Sequence, residues 1–76
     1  MKKFQVGRMY EPYATEFEPI EVVRRTEKTI WVKNESAEWR MRIKTDENGN
    51  EYAIDSTVPG KWREAFTYKA EYEVVR

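Results

Sequence analysis

The fold of this chain is decided by residues 39–54, which read WRMRIKTDENGNEYAI. Apolar and charged residues alternate before Asn48-Gly49, and the alternation resumes after it. A period of two is typical of a β-strand with one buried face. Asn-Gly is the dipeptide that best accepts positive φ at both central positions of a two-residue turn. The stretch therefore predicts a β-hairpin from Trp39 to Ile54 that turns at Asn48-Gly49.

The turn also predicts the register of this hairpin. With Asn48 and Gly49 at its centre, the cross-strand pairs are Thr45 with Tyr52, Ile43 with Ile54, and Arg42 with Asp55. Apolar pairs then share one face, and an exposed ion pair on the other adds about 0–1 kcal/mol. Two independent patterns thus favour the same register.

Upstream, Ile20–Arg25 and Thr29–Lys33 are rich in β-branched residues and predict a second hairpin. A two-residue loop would pair Val22 with Trp31, whereas a three-residue loop would pair Val22 with Val32 and Val23 with Trp31. One residue of slip exchanges the faces and decides whether Trp31 is core or surface. We favour the three-residue loop because it places four aliphatic residues on one face: Ile20, Val22, Ile30 and Val32.

The N-terminal third gives weaker patterns. Phe4 and Val6 alternate with polar residues, which predicts a short first strand that Gly7 ends or bends. Residues 8–19 contain two prolines and no sustained period, so we expect a loop there, or one turn of helix. The aromatic residues expected to pack this loop down are Tyr10, Tyr13 and Phe17.

The C-terminal stretch from Trp62 to Arg76 is open to two interpretations. Its apolar residues alternate strictly from Phe66 to Val74, as in a strand, but several also suit helical spacing. The alternation and the tyrosines favour strand, with a short helical turn near Trp62 to Ala65. The chain then has five or six strands and short loops, which predicts one all-β domain over residues 1–76. We expect a strongly bent antiparallel sheet or an SH3-like or OB-like barrel.

Composition limits the chemistry of this chain. It has 76 residues, no cysteine and no histidine. Disulfides are impossible, and the usual zinc ligands and the commonest general base are missing. We therefore expect no enzyme activity, no cofactor, no metal site and no small-molecule substrate. The core must come from packing alone, for which three Trp, five Tyr and three Phe are well suited.

Charge is unevenly distributed along the chain. The formal net charge is zero, yet residues 24–44 carry seven basic and three acidic groups, a net of +4. The basic residues fall on neighbouring predicted strands, and Trp31 lies among them. Small barrels use basic and aromatic surfaces to contact phosphates and to stack bases. The residues predicted to bind nucleic acid are Arg24, Arg25, Trp31, Arg40, Arg42 and Lys44.

Three other interpretations remain open. Acidic residues could neutralise this face while Trp31 simply packs; the candidates are Glu35, Glu38, Asp46, Glu51 and Asp55. A protein-interaction module, such as an adaptor or inhibitor, could instead use Tyr10, Tyr13 and Trp62 to line a groove for an extended peptide. A structural domain without a discrete site is a third possibility.

No apolar run approaches the ~18 residues that span a bilayer, and no apolar stretch follows Met-Lys-Lys as in a signal peptide. We expect a cytoplasmic monomer with no membrane partner. The partner would be nucleic acid or another protein.

Three short patterns carry a resemblance. They are Phe4-x-Val6-Gly7-x-x-Tyr10, then Val22-Val23-x-Arg25-Thr26-x-Lys28-Thr29, and then a strand with Arg40 and Ile43. Over roughly its first two thirds, the chain resembles uncharacterised short proteins of bacteria, phages and mobile elements. The resemblance implies a regulatory or host-interaction role and assigns no activity to any residue.

Overall fold

The structure is a computed structural model that describes residues 1–55 and 57–74. Within these residues, seven antiparallel strands form one sheet that curls into a nearly closed barrel. The strands are β1 (Met9–Pro12), β2 (Ile20–Arg25), β3 (Thr29–Lys33), β4 (Glu38–Arg42), β5 (Lys44–Thr45), β6 (Glu51–Ile54) and β7 (Thr67–Glu73). Their order across the sheet is β4-β3-β2-β1-β7-β6-β5. The predicted all-β fold is confirmed.

A bend at Ile43 brings the two edges of the sheet together. β4 and β5 are consecutive halves of one strand, and Ile43 lies between them with its N–H donating to the carbonyl of Lys28 at 2.8 Å. The first half pairs with β3 and the second half with β6. One strand therefore covers both edges, which would otherwise expose unpaired backbone groups. If β4 and β5 are counted as one strand, the sheet has six strands, within the expected five or six.

The interior of the barrel is filled by side chains from every strand except β5, together with Phe4 from the N-terminal segment and Ile43 from the bend between β4 and β5. The β2–β3 hairpin supplies the four aliphatic residues that the sequence placed on one face, and all four are fully buried. Burial of each such side chain contributes about 1.5–3 kcal/mol. The buried apolar residues are Phe4, Tyr10, Ile20, Val22, Ile30, Val32, Met41, Ile43, Ala53, Tyr68 and Ala70.

The β2–β3 hairpin changes register along its length. Val22 opposes Val32, as preferred from the sequence, but Arg24 rather than Val23 opposes Trp31. Val23 is the extra residue of a β-bulge between these two pairs. Beyond the bulge the loop is one residue shorter than expected, because the N–H of Thr26 bonds the carbonyl of Thr29 at 2.8 Å. Trp31 is partly exposed on the outer face of the barrel.

The predicted register of the Asn48-Gly49 hairpin is wrong by one residue. Lys44 opposes Tyr52 and Thr45 opposes Glu51. The reason lies in the turn, where Gly49 has a φ of +81° and Asn48 has no positive φ. Gly49 N–H donates to the carbonyl of Asp46 at 3.0 Å, and the Asp46 carboxylate accepts two further backbone N–H groups. Asp46 therefore organises a longer turn than a two-residue one.

This slip exchanges the faces of β6. Glu51 and Ala53 point inward, while Tyr52 and Ile54 are only partly buried. The expected pairs of Ile43 with Ile54 and of Arg42 with Asp55 do not form. Arg42 instead opposes Thr29 on β3, and the Asp55 carboxylate accepts hydrogen bonds from the N–H and hydroxyl of Thr57, at 2.9 and 2.6 Å.

The N-terminal residues do not form the predicted strand. Residues 1–8 cross one end of the barrel, and Phe4 inserts into it with its ring edge-to-face on Tyr10, 4.9 Å between centroids. Val6, predicted to share a face with Phe4, is exposed. The first strand lies instead at Met9–Pro12, within the region expected to be a loop, and Tyr13 is exposed rather than packed down.

The C-terminal prediction is confirmed where the structure describes it. β7 runs from Thr67 to Glu73 and buries Tyr68 and Ala70, so the alternating pattern is that of a strand. A 3₁₀ turn at Gly60–Trp62 accounts for the short helical turn expected near Trp62. Val75 and Arg76, the last two residues of the stretch from Trp62 to Arg76, lie outside the described residues.

The two ends of the barrel differ. Residues 1–8 cover one end, together with the loops 26–28 and 46–50. We call it the plugged end, because Phe4 fills it. The other end is formed by residues 13–19, 34–37, 55 and 57–66, and we call it the open end.

Replacing Gly49 with alanine tests the turn. A Cβ at a φ of +81° is strained and would lie 2.5 Å from the sulfur of Met1. We expect the Gly49→Ala variant to lose about 1–2 kcal/mol of unfolding free energy, measured by urea denaturation. Gly60→Ala is the matched control, because Gly60 has no positive φ and no atom within 4 Å of an added Cβ. Equal stability of the two variants would contradict this account of the turn.

Candidate nucleic-acid interface

A row of three side chains crosses the outer face of β2, β3 and β4. Trp31 opposes Arg24 on one neighbouring strand and Arg40 on the other. The Arg24 guanidinium carbon lies 3.9 Å from the centroid of the indole ring, a cation–π contact. The bulge at Val23 creates this contact, because it turns Arg24 onto the outer face. The row presents one aromatic ring between two cationic groups.

Arg42 extends the row along β4. It shares the outer face with Arg40, two residues away, and opposes Thr29. Together with Trp31 these residues line a shallow groove of about 350 Å³. We call Arg24, Trp31, Arg40 and Arg42 the Arg–Trp face.

The Arg–Trp face continues into a basic cleft at the plugged end. Arg42 also lines this second cleft, of about 470 Å³, together with Lys44, Lys28 and Lys3. The two carboxylates in its lining are Glu27 and Glu51. Lys44 was predicted as a site residue. It does not lie beside Trp31, but it lines this basic cleft together with Arg42. Lys3 was missed, because no local pattern indicates that the N-terminal segment crosses this end.

The arginines of the Arg–Trp face form no ion pair with the carboxylates proposed to neutralise them. Among residues 1–55 and 57–74, no carboxylate forms an ion pair with Arg24, Arg40, Arg42 or Lys44. Asp46 bonds its own turn, Asp55 bonds Thr57, and Glu51 pairs with Arg25. Glu38 lies opposite Lys33, one row further along the sheet.

Arg25 is separated from the other predicted site residues. Its guanidinium turns into the plugged end, where it donates to both carboxylate oxygens of Glu51 at 2.8 and 3.0 Å. It also donates to the carbonyl of Phe4 at 2.6 Å. The same Glu51 carboxylate accepts the N–H of Phe4 at 2.8 Å. Arg25 therefore ties together β2, β6 and the N-terminal segment.

The ionisation of this pair follows from its contacts. Burial by itself would raise the pKa of Glu51, but hydrogen bonds from Arg25 and Phe4 and the charge of Arg25 outweigh it. The pKa of Glu51 is held below its usual range. The hydrogen bond to Glu51 raises the pKa of Arg25 against the opposing effect of burial. Both groups are therefore charged at neutral pH.

The aromatic groove predicted from Tyr10, Tyr13 and Trp62 does not form as a unit. Tyr10 is completely buried, with its hydroxyl accepting the N–H of Gln5 at 2.8 Å. Trp62 is exposed at the open end, where its apolar neighbours are Phe17, Val58, Pro59 and Phe66. The sequence identified Trp62 but not these neighbours, because they come from two loops that are distant in the chain.

Comparisons with known proteins leave the family of this chain unassigned. Nothing matched significantly among protein-family models, curated proteins or solved structures. The resemblance to short proteins of bacteria, phages and mobile elements stays a prediction. In the described part of the chain, no helix is long and apolar enough to cross a membrane, and no three potential metal ligands lie together.

A Glu51→Gln variant tests the ion pair at the plugged end. The neutral amide leaves Arg25 without its charged partner, and we expect a loss of about 2–3 kcal/mol of unfolding free energy at pH 7. Because the folded protein lowers the pKa of Glu51, its contribution is complete above the unfolded value of 4.5 and is lost as the pH falls below it. The difference in unfolding free energy between the wild type and the Glu51→Gln variant should therefore become smaller in acid.

The measurement is urea denaturation from pH 7 down to about pH 3. Glu73→Gln is the matched control: it breaks the ion pair with Arg8, whose side chain is 54% exposed, and should cost less than about 1 kcal/mol. A pH-independent difference for Glu51→Gln would contradict the assigned role of the pair.

Proposed function

We propose that this protein is a non-catalytic binding module that holds single-stranded nucleic acid on the Arg–Trp face. The observation that carries the proposal is the cross-strand row in which Trp31 lies between Arg24 and Arg40. The three arginines of the Arg–Trp face form no ion pair with any carboxylate of the described residues. The resemblance to phage and mobile-element proteins suits a regulatory role in the cytoplasm.

The chemistry of the row matches the two parts of a nucleotide. An indole ring stacks on a base, which contributes about 1–3 kcal/mol for each base. A planar guanidinium donates in parallel to two phosphate oxygens. In the unbound protein, Arg24 lies over the Trp31 ring. A base that stacks on this ring displaces Arg24, and the released guanidinium then reaches the flanking phosphate.

A single strand fits this face better than a duplex. Stacking on Trp31 requires a base that is not already stacked between neighbours, and a flexible single strand supplies one. Duplex DNA would have to present phosphates alone to the three arginines. Because the net charge of the protein is zero, no general attraction to polyanions adds to these local contacts.

The surrounding charges indicate the course of the strand. On the side towards the open end, Lys33 lies between Glu21 and Glu38, so that row carries two carboxylates for one cation. On the other side, Arg42 leads into the cleft that contains Lys3, Lys28 and Lys44. Glu27 and Glu51 also line that cleft, but Glu51 is paired with Arg25, so the cations remain in excess. The phosphate chain is repelled from the first side and attracted to the second. The proposed path therefore runs from Trp31 past Arg42 to the plugged end.

A double variant, Arg40→Ala with Arg42→Ala, tests the phosphate contacts. We expect fluorescein-labelled 15-nucleotide oligo(dT) and oligo(U) to bind the wild type with an affinity that falls steeply between about 50 and 200 mM salt. The double variant should bind roughly tenfold more weakly. The slope of log affinity against log salt concentration should become shallower by the amount expected for the loss of about two phosphate contacts. Fluorescence anisotropy measures both effects.

The matched control for this pair is Lys61→Ala with Arg63→Ala, which removes two exposed cations at the open end. This control should bind like the wild type. If the wild type does not bind at low salt, the proposed function is wrong. An equal loss of affinity in both double variants would show that the oligonucleotides are attracted to positive charge in general and do not bind specifically to the Arg–Trp face.

A Trp31→Ala variant tests base stacking separately. Loss of the ring should weaken single-strand binding roughly fivefold or more, whereas Trp31→Phe should retain part of the affinity. The salt dependence should remain that of the wild type, because no phosphate contact is removed. Trp62→Ala, which removes an exposed indole at the open end, is the control. Unchanged binding by Trp31→Ala would contradict the stacking role.

A further inference from the structure

The open end of the barrel contains a cleft of about 310 Å³ with a lining unlike that of the basic cleft. Four aromatic rings and two carboxylates line it, and the described lining includes no lysine or arginine. The charge of this cleft is therefore opposite to that of the plugged end. Its aromatic and acidic residues are Phe17, Trp39, Phe66, Tyr68, Glu18 and Asp55.

Asp55 is the most unusual group in this cleft. Asp55 is only 8% exposed, yet its carboxylate forms no ion pair with any lysine or arginine of the described residues. One carboxylate oxygen, Oδ1, accepts both hydrogen bonds from Thr57. The other, Oδ2, receives none from the residues that the structure describes. A carboxylate that lines an open cleft and has no cation partner among the described residues is available to a cationic ligand.

The aromatic rings favour the same kind of ligand. Phe17 and Phe66 pack against each other with centroids 4.6 Å apart, and their rings form one wall. Burial, together with the charge of Asp55, raises the pKa of Tyr68 to about 12, so this phenol is neutral at physiological pH. The Trp39 indole N–H has no acceptor among the described residues; as a donor, it would bond a carbonyl oxygen of the ligand rather than its cationic group. The negative faces of such rings attract organic cations.

An apolar groove adjoins the cleft. It has a volume of about 380 Å³, and Phe17 and Phe66 line both sites. Val58, Pro59 and Trp62 complete the groove, in which Trp62 is 48% exposed. A ligand that occupies both sites carries a cation next to an apolar group. A lysine or arginine with an apolar neighbour in a protein chain has this arrangement, whereas a small ammonium compound fills the cleft alone.

From these observations we propose that the aromatic cleft binds the cationic head of a lysine or arginine side chain from a partner protein. The cation lies among the aromatic rings beside Asp55 and Glu18, and the neighbouring apolar residue of the partner lies in the groove of Trp62. This site is independent of the Arg–Trp face and does not rest on nucleic-acid binding. It adds a protein-binding surface at the opposite end of the barrel.

Peptide titration followed by NMR tests this proposal. The probe is acetyl-Gly-Pro-Lys-Leu-Gly-amide, added to ¹⁵N-labelled protein, and the readout is the indole N–H resonance of Trp39. We expect a saturable shift of this resonance. The same peptide with Nε-acetyl-lysine should bind roughly fivefold or more weakly, because acetylation removes the charge. Arginine in place of lysine should retain binding.

Two variants locate the contacts. Phe17→Ala removes one ring, and Glu18→Gln removes an exposed carboxylate; each should weaken binding of the lysine peptide about two- to fivefold. Tyr13→Ala is the matched control, because Tyr13 is an exposed aromatic residue at the same end but outside the cleft. It should bind like the wild type.

Three outcomes would overturn the proposal. The first is no shift of the Trp39 resonance up to about 5 mM peptide. The second is equal binding of the lysine and acetyl-lysine peptides, which would exclude a role for the charge. The third is equal binding of tetramethylammonium and the lysine peptide, which would remove the argument for a protein partner.

Discussion

The Arg25–Glu51 ion pair is the interaction on which the rest of this structure depends. The Val23 bulge turns Arg25 inward, and the slipped turn at Asp46 turns Glu51 inward to meet it. Both departures from regular register therefore serve one contact. Because the pair also bonds both backbone groups of Phe4, it holds the segment that plugs the barrel. A charged pair at this depth is stable only when its remaining hydrogen-bonding capacity is used, as it is here.

The same bulge gives two adjacent arginines different roles. In a regular strand, neighbouring residues point to opposite faces, and Val23 would have taken the outer position beside Trp31. The inserted residue moves Arg24 onto the indole and leaves Arg25 inside. The cationic group of the Arg–Trp face and the ion pair of the plugged end therefore arise from one backbone irregularity. Bulges commonly redirect side chains in this way near functional surfaces.

Sequence patterns succeeded where buried apolar residues alternate strictly with polar ones. The aliphatic face of β2 and β3 and the alternation of β7 were predictable, because period two holds along each of them. The Val23 bulge, the turn at Asp46 and the course of residues 1–8 were not. The bulge and the course of residues 1–8 depend on contacts between residues far apart in the chain, such as Arg25 and Glu51, which are 26 positions apart. The turn at Asp46 is held by local hydrogen bonds, which compete with the shorter turn that Asn-Gly favours. Alternation along β4 correctly placed Arg40 and Arg42 on one face. Lys3 could not be assigned, because its place in the basic cleft depends on where residues 1–8 cross the barrel.

The zero net charge conceals two ends of opposite character. Lys3, Lys28 and Lys44 surround the cleft at the plugged end, while Glu18 and Asp55 line the cleft at the open end. The barrel measures 27 × 25 × 22 Å, and charges in physiological salt are screened over about 8 Å. The carboxylates of the open end therefore do not oppose a phosphate chain at the plugged end. The two proposed surfaces share no lining residue. Both can therefore be occupied at once, which suits an adaptor between nucleic acid and a protein.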